Sequence, residues 1–336
     1  MFRKIIYLIL IVIFIWYGAT HITELNKLLH AFAQGSWLWL ILAAFIQVAF
    51  FAVYTLMTKY AFKVVHLRRK FFELIPLVFG SIFVNVLAPT AGQSGTILYA
   101  DDAARRKESY PKAVIGNVIS TISSYVAFSL ILAFALIYLK SFNLLNDYEV
   151  IGAIIFVFPA FIPGILIFTA YRSPKTTLKI LNIIYRIYLK VIKLFRKKPR
   201  LDKNWTSYVA NELYEAAASI SKNKFVLFQT LGLAFIAHVI NIISLYVIFE
   251  AFEIHIFYGA LIAGYAVGEM VRIISPQPEG VGVTEAAMAV VFASFGTPLI
   301  SATAISLIFR AYNFWLPLGL GFVFLRFLRS FSNEKA

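Results

Sequence analysis

Long apolar segments alternate with short polar or basic segments along almost the whole chain. Six of the apolar segments are uninterrupted, and we expect each to form a helix that crosses a bilayer, for which about 20 apolar residues suffice. They cover approximately residues 5–19, 36–58, 113–139, 150–170, 225–249 and 299–325. The pattern therefore predicts an all-α polytopic membrane protein with about six full spans.

Two further apolar segments, about 74–100 and 257–297, are interrupted by proline and glycine. The first interruption runs from Asn85 to Gly95, and the second runs from Pro276 to Glu285. Non-helical backbone is tolerated at membrane depth only where protein or a watery cavity satisfies its polar groups. Because paired broken segments are typical of a transporter's binding site, we expect a ligand site where these two meet.

The basic residues are distributed very unevenly between the predicted loops. Of 31 lysines and arginines, 13 lie in segment 171–224, whereas loops 20–35, 140–149 and 250–256 together hold two. Cytoplasmic loops of membrane proteins collect Lys and Arg. We therefore expect one integral membrane domain over 1–336, with both termini and a basic insertion at 171–224 in the cytoplasm of a prokaryote.

The charge pattern also predicts how the first interrupted segment is inserted. Segment 74–100 has a basic cluster at each end, Arg68–Lys70 and Arg105–Lys107. A single crossing would place one cluster outside, so we expect a re-entrant helical hairpin that turns near Pro89–Gly92. The alternative is a pair of fully spanning helices, which needs about 20 residues in each helix.

The second interrupted segment, 257–297, is expected to enter from the outer side and return to it. The segment follows the outer loop 250–256. The predicted span 299–325, which comes after it, also begins on the outer side. The hairpin would turn near Pro276–Gly282. Two hairpins inserted from opposite faces suggest an inverted-topology repeat.

The basic insertion 171–224 contains two predicted amphipathic helices. The first carries basic residues at helical spacing: Lys179, Arg186, Lys190 and Lys193. Such a helix lies at the membrane surface and attracts anionic lipid headgroups, unless its charge serves only to fix the topology. The second helix is expected to follow from about Trp205.

The composition and the absence of known motifs argue against several kinds of partner and site. The chain is 61% hydrophobic and 14% charged, and its net charge of +15 is explained by the cytoplasmic loops, so we expect no nucleic-acid partner. It has no cysteine, and its five histidines lack metal-ligand spacing, so we expect no metal. The sequence contains no nucleotide-binding or nucleophile-elbow motif, and we expect no cofactor and no soluble-type catalytic residue.

Charged residues within the second interrupted segment are the main binding candidates. Glu269 and Arg272 are three residues apart and can pair on one helix face. The functional alternative is that Arg272 binds a phosphate, for which a guanidinium is suited. Glu285 near a helix start is stabilised by the helix dipole, while the amides of Gly280 and Gly282 are candidates to bind an anion.

Three further sets of candidates complete the predicted site. Glu279 either caps the turn or adds a charge to the cavity, and Arg310, far from either end of its span, must pair with Glu269 or Glu285 or face water. The first interruption contributes uncharged candidates: Asn85, Pro89, Gly92, Gln93 and Ser94. Asp102 and Arg106, just beyond it, are expected to lie on a solvated cytoplasmic surface.

The segments Leu87–Gly95 and Pro278–Ala287, followed by Arg310, resemble the lysylphosphatidylglycerol synthase transmembrane family. This is the flippase-like membrane half of bacterial multiple peptide resistance factors, also found as stand-alone proteins. Glu279 departs from the family pattern, which has glycine there, and Gln93 stands where a glutamate is common. The chain stops at Ala336, so we expect the aminoacyl-tRNA-dependent transferase domain of the bifunctional members to be absent.

The resemblance implies translocation of a phosphate-bearing lipid across the cytoplasmic membrane. An anionic or aminoacylated phospholipid or a polyprenyl-phosphate lipid is the implied substrate. Arg272 and Arg310 would bind its headgroup, and Glu269 and Glu285 would balance them, bind a cationic headgroup or carry a proton. Two alternatives stay open: an intramembrane lipid transferase with Glu285 as base, and a scaffold for a separate lipid synthase. Self-association into a homo-oligomer also stays open.

Overall fold

A computed structural model describes residues 30–87, 94–194, 204–275 and 277–325. Every regular element in these ranges is helical. In chain order they are α1 (Trp37–Val64), α2 (Phe71–Leu87), α3 (Thr96–Arg105), α4 (Tyr110–Ser141), α5 (Asp147–Arg172), α6 (Pro174–Leu194), α7 (Trp205–Lys222), α8 (Lys224–Ala251), α9 (Tyr258–Ile274), a 3₁₀ turn (Pro278–Gly280), α10 (Val283–Ser294), α11 (Leu299–Arg310), a π turn (Ala311–Trp315) and α12 (Leu316–Phe324).

Four described helices are long and apolar enough to cross a membrane: α1, α4, α8 and the continuous helix Leu299–Phe324. They correspond to four of the six predicted spans, and α5 covers the predicted span 150–170 as a helix. The remaining predicted span, 5–19, lies outside the described residues. The prediction of an all-α polytopic membrane protein is confirmed.

The first hairpin consists of α2 and α3, and its two ends lie together. Arg69, just before α2, donates hydrogen bonds from both terminal nitrogens to the carboxylate of Glu108, just after α3. Arg106 reaches back to Glu73 with an Nη1–Oε2 distance of 3.0 Å. Because these ion pairs join the start of α2 to the end of α3, the segment returns to the face that it left, as predicted.

The same ion pairs correct one expectation. Asp102 is 6% exposed rather than solvated, because it lies between Arg69 and Arg106, with Arg106 Nε 3.0 Å from its Oδ2. Burial alone would lower the pKa of Arg106, but the carboxylates of Asp102 and Glu73 outweigh it and raise this pKa. A run of charged residues in sequence thus forms a structural clamp in the fold.

The second hairpin consists of α9, the 3₁₀ turn and α10, and its ends also lie together. Both ends contact Tyr138 near the C-terminus of α4: a Cβ on Gly259 would overlap the Tyr138 ring, and the Phe295 ring centroid is 5.6 Å from it. The ends of the first hairpin lie instead beside the N-terminus of α4, next to Tyr110. Since 32 helical residues extend about 48 Å, the two hairpins enter from opposite faces.

Each hairpin helix is short for a membrane span. At 1.5 Å per residue, α9 (17 residues) extends about 25 Å and α10 (12 residues) about 18 Å, against a hydrocarbon thickness of about 30 Å. These lengths fit re-entrant helices better than full crossings. Glycine allows close packing inside the hairpin, because side chains of α10 occupy the space where Gly264 and Gly268 of α9 would carry a Cβ.

The predicted amphipathic helices of the basic insertion are present as α6 and α7. Along α6 the isoleucines at 183, 184 and 187 are exposed beside exposed basic residues. Lys112 at the start of α4 holds α7 through Glu215, at an Nζ–Oε2 distance of 2.9 Å. The insertion therefore packs on the face of the molecule where the first hairpin enters.

Candidate functional site at the meeting point of the two hairpins

The end of α2 and the turn between α9 and α10 line one cavity of about 160 Å³ among the helices. Asn85, at the end of α2, and Glu279, in the turn between α9 and α10, both line it. Helices α1, α4 and α8 supply much of the remaining wall. The wall residues are Phe50, Phe51, Tyr54, Ile82, Asn85, Thr121, Ser124, Tyr125, Ala237, His238, Asn241, Tyr265, Glu269, Arg272, Glu279, Asn313 and Phe314.

The charged part of the cavity wall is a cluster of Glu269, Arg272 and Glu279. Arg272 Nε and Nη2 donate to Glu269 Oε2 at 3.0 and 2.8 Å, and Nη1 donates to Glu279 Oε2 at 2.6 Å. The predicted i, i+3 pair is therefore present. A second carboxylate on the same guanidinium was not predicted, and it gives the cluster a net charge of −1.

The backbone of the turn explains how Glu279 reaches Arg272. Three turn residues have left-handed φ values: Glu279 at 51°, Gly280 at 62° and Gly282 at 82°. A Cβ on Gly280 would lie 2.5 Å from Thr284 Oγ1 and 3.0 Å from the Arg272 Cα, so only glycine fits there. The tight turn folds α10 back along α9 and directs the Glu279 carboxylate onto Arg272.

Arg310 and Glu285 form a separate, buried pair behind the turn. Arg310 Nε donates to Glu285 Oε1 at 3.0 Å, and its Nη2 donates to the backbone carbonyl of Glu279 at 2.7 Å. Arg310 is 2% exposed, and its guanidinium lies 4.7 Å from the ring centroid of Phe314, which itself lines the cavity. Of the two predicted partners, Glu285 is the one in contact, and the pair supports the turn from outside the cavity.

The glycine amides of the turn already have partners inside the protein. Gly282 N donates to Glu285 Oε2 at 2.7 Å, and Gly280 N donates to the carbonyl of Gln277 at 3.0 Å. Glu285 therefore uses one oxygen to cap α10 and the other to hold Arg310. This arrangement matches the structural alternative for Glu285 and the two glycines.

Asn85 organises the described part of the first interruption. Its Oδ1 accepts hydrogen bonds from Gly95 N at 2.6 Å and Ser94 Oγ at 3.1 Å, which ties the end of α2 to the start of α3. The other candidates of this interruption, Pro89, Gly92 and Gln93, lie outside the described residues.

Several polar wall residues were not singled out from the sequence. His238 lies between α4 and α9, with Nε2 3.2 Å from the Ser124 carbonyl and Nδ1 2.6 Å from the Tyr265 hydroxyl. Nε2 also lies 3.2 Å from the Ser124 hydroxyl, so both ring nitrogens have polar partners in the wall. Asn241 Oδ1 accepts from Gln47 Nε2 at 3.2 Å and from Asn313 Nδ2 at 3.3 Å.

These wall residues follow one another at intervals of three or four along their helices, and such a spacing can be recognised in the sequence. Asn241 follows His238 by three residues on α8, and Ser124 and Tyr125 follow Thr121 by three and four on α4. A polar stripe along an apolar span indicates a face turned toward protein or water. Within the described ranges, no group of three His, Asp or Glu side chains is placed to hold a metal ion.

The sequence profile of the family described as "Lysylphosphatidylglycerol synthase TM region" matches residues 4–321, nearly the whole chain. This protein belongs to the lysylphosphatidylglycerol synthase TM region family. The resemblance carried by the two interrupted segments and Arg310 is thereby confirmed. The protein is accordingly a multi-pass membrane protein of a lipid-related family.

Two archaeal relatives carry only membrane-protein descriptions. A UPF0104 membrane protein of Methanothermobacter thermautotrophicus is 29% identical over 149 residues, which is 41% of this chain and 43% of that protein. The chain thus matches less than half the length of this relative. A UPF0104 membrane protein of Pyrococcus horikoshii is 24% identical over 260 residues, 75% of each chain.

Proposed function

We propose that this protein moves a phosphate-bearing lipid between the leaflets of the cytoplasmic membrane, with the headgroup passing through the central cavity. The observation that carries the proposal is the meeting of two oppositely inserted hairpins at one polar, charged cavity. Broken helices that meet near the midplane are the common construction of transporter binding sites. Membership in a lipid-related membrane family supports a lipid as the transported molecule.

The cavity chemistry suits the two ends of a phospholipid headgroup. Arg272 has five N–H groups, of which three are used by Glu269 and Glu279, so donors remain for a phosphate oxygen. Asn85, Asn241 and Asn313 add amide groups to the same wall. An aminoacylated phospholipid or a polyprenyl-phosphate lipid is the proposed substrate class.

The volume of the cavity indicates how transport would proceed. An apolar cavity of about 150 Å³ holds a molecule the size of benzene, so 160 Å³ accepts one polar part of a headgroup but not a whole lipid. We infer that the helices around the cavity separate to admit the lipid. With both termini in the cytoplasm, as the charge distribution indicates, the first hairpin would face the inner leaflet.

The transferase alternative receives less support from the geometry. A general base needs an oxygen within hydrogen-bond reach of the substrate, and both oxygens of Glu285 are engaged, by Arg310 and by the Gly282 amide. A scaffolding role for a separate lipid synthase would use the basic insertion, whose exposed isoleucines are equally suited to the membrane surface. Translocation is the function that uses the cavity itself.

The test is lipid movement by purified protein in liposomes. A phospholipid labelled on an acyl chain should become accessible to a membrane-impermeant quencher from both leaflets, and its mass should stay unchanged. Thr121→Phe fills the cavity wall on α4 and should slow movement strongly. Thr303→Phe is the matched control. Like Thr121, Thr303 donates a hydrogen bond from its hydroxyl to the backbone carbonyl four residues earlier, but it does not line the cavity.

Each result has a definite meaning. Movement no faster than in protein-free liposomes would overturn the proposal. Native-like movement with Thr121→Phe and loss with Thr303→Phe would relocate the path to the groove between α10 and α11, which Thr303 lines. A covalently altered lipid would favour the transferase.

A further inference from the structure

We propose that Glu279 determines the headgroup charge that the central cavity accepts, so that lipids with an amino group are preferred over lipids whose only headgroup charge is the phosphate. The inference rests on the proposed translocation. It assigns the headgroup preference to one residue, at a position where the family pattern has glycine. Four observations carry it: the backbone at Glu279, its contact with Arg272, the charge balance of the cluster and the aromatic wall.

The backbone of Glu279 is in a conformation that its residue type disfavours. Its φ of 51° and ψ of 22° are left-handed, a region that glycine occupies without cost and that glutamate does not. Residues held in such conformations concentrate at ligand sites, where the surroundings compensate for the strain. Here the left-handed turn brings the carboxylate to 2.6 Å from Arg272, in the cavity wall.

The contact with Arg272 changes what the guanidinium offers to a ligand. Glu269 alone would neutralise Arg272 and leave Nη1 for a phosphate. Glu279 accepts from one of the two Nη1 hydrogens, so fewer donors remain for a phosphate and the wall carries two carboxylates for one guanidinium. The hydrogen bonds to Arg272 use only Oε2 of each glutamate, and a positively charged group is therefore attracted to the remaining oxygens.

The rest of the wall suits a positively charged group as well. Aromatic rings line the same cavity as the carboxylates, and the faces of such rings attract cations over distances up to about 6 Å. Apart from Phe314, which already contacts Arg310, the rings belong to Phe50, Phe51, Tyr54, Tyr125 and Tyr265. A cavity of about 160 Å³ accommodates an ammonium group with a short carbon chain, which fits the amino end of a headgroup.

The experiment compares two lipids that differ only in the headgroup. Acyl-labelled phosphatidylethanolamine and phosphatidylglycerol share the phosphate, and only the former has an ammonium group. In liposomes, the native protein should move phosphatidylethanolamine faster by about fivefold or more, the range of one partly desolvated cation contact. Glu279→Gln should bring the ratio of the two rates close to one, and Glu279→Asp should retain part of the preference.

A matched control is available outside the cavity. Glu253 has the same left-handed backbone, with φ of 57°, but lies in the loop before α9, so Glu253→Gln should leave the ratio unchanged. Glu279→Gly removes the charge while relieving the backbone, and it keeps the test valid if Glu279→Gln folds poorly. The same loss of preference is expected from both cavity variants.

The outcomes separate this inference from the proposed function. If the native protein moves both lipids equally, or if the preference persists in Glu279→Gln, the inference is overturned and translocation stands. If neither lipid moves faster than in protein-free liposomes, the inference falls together with translocation. A preference that disappears in Glu253→Gln as well would show a general effect of charge and would also overturn it.

Discussion

The two hairpins place their charges at opposite ends. The first hairpin is clamped at its base by ion pairs of Arg69 and Arg106, and the described part of its tip is organised by the neutral side chain of Asn85. The second is held at its base by aromatic contacts of Tyr138 and has its charges in and beside its turn. Both segments are hairpins, but the charged residues join the base of the first and lie at the turn of the second.

The difference follows from where water is available. At the base of the first hairpin the Arg69 side chain is only 1% exposed, but the carboxylates of Glu73 and Glu108 remain one-third exposed, so water can replace a lost partner there. At the tip of the second hairpin the side chains of Arg310 and Glu285 are 2% and 6% exposed. A buried pair contributes little net stability, yet removing one partner is expensive. We therefore regard the tip charges as retained for the cavity that they support.

The largest effect is expected at the buried tip. Arg310→Met should lower stability by about 3–5 kcal/mol, because it leaves the Glu285 carboxylate buried without its cation. Arg69→Met at the base of the first hairpin should cost less, since Asp102 retains Arg106 and Glu108 can be hydrated. Thermal denaturation of the two variants in detergent measures the difference.

A double variant identifies the cause. Arg310→Met combined with Glu285→Gln removes both charges while the amide oxygen can still accept from Gly282, so much of the lost stability should return. The distinction between tip and base would be wrong if the losses of stability were additive in the double variant. It would also be wrong if Arg69→Met lost more stability than Arg310→Met.

A smaller effect separates the tip and base of the second hairpin itself. Gly280 in the turn and Gly296 beyond α10 both have left-handed φ, at 62° and 91°. Alanine should cost about 1–2 kcal/mol at either position from backbone strain. Gly280→Ala should cost more, because its Cβ would meet Thr284 and the Arg272 backbone. A Cβ added to Gly296 would have no such neighbour within 4 Å. Equal melting temperatures for both variants would contradict the tight packing that we infer around Gly280.

The sequence predicts those parts of the site that depend on local spacing. The spans follow from apolar length, and the Glu269–Arg272 pair follows from one helical turn. Arg310 was expected to pair with Glu269 or Glu285 or to face water, and the choice of Glu285 depends on how α10 packs on α11. The burial of Asp102 likewise depends on α3 folding back beside Arg69, a contact between residues far apart in sequence.

The least predictable element is Glu279. From the sequence it is a polar residue in a turn, and its role depends on a left-handed backbone that redirects its side chain onto Arg272. The polar wall from α4 and α8 was missed for another reason. His238, Asn241 and Ser124 are single polar residues in strongly apolar helices, and only their shared face, not the residue type, indicates a cavity.

The two hairpins enter from opposite faces and meet at one cavity, and single-cysteine labelling can check this arrangement. The natural sequence has no cysteine, so introduced thiols report without background. Lys70→Cys and Lys107→Cys flank the first hairpin, and Phe257→Cys and Leu299→Cys flank the second; all four positions are exposed. We expect a membrane-impermeant reagent to label positions 70 and 107 from one side of the membrane and positions 257 and 299 from the other. Labelling of positions 70 and 107 from different sides, or of all four from the same side, would contradict it.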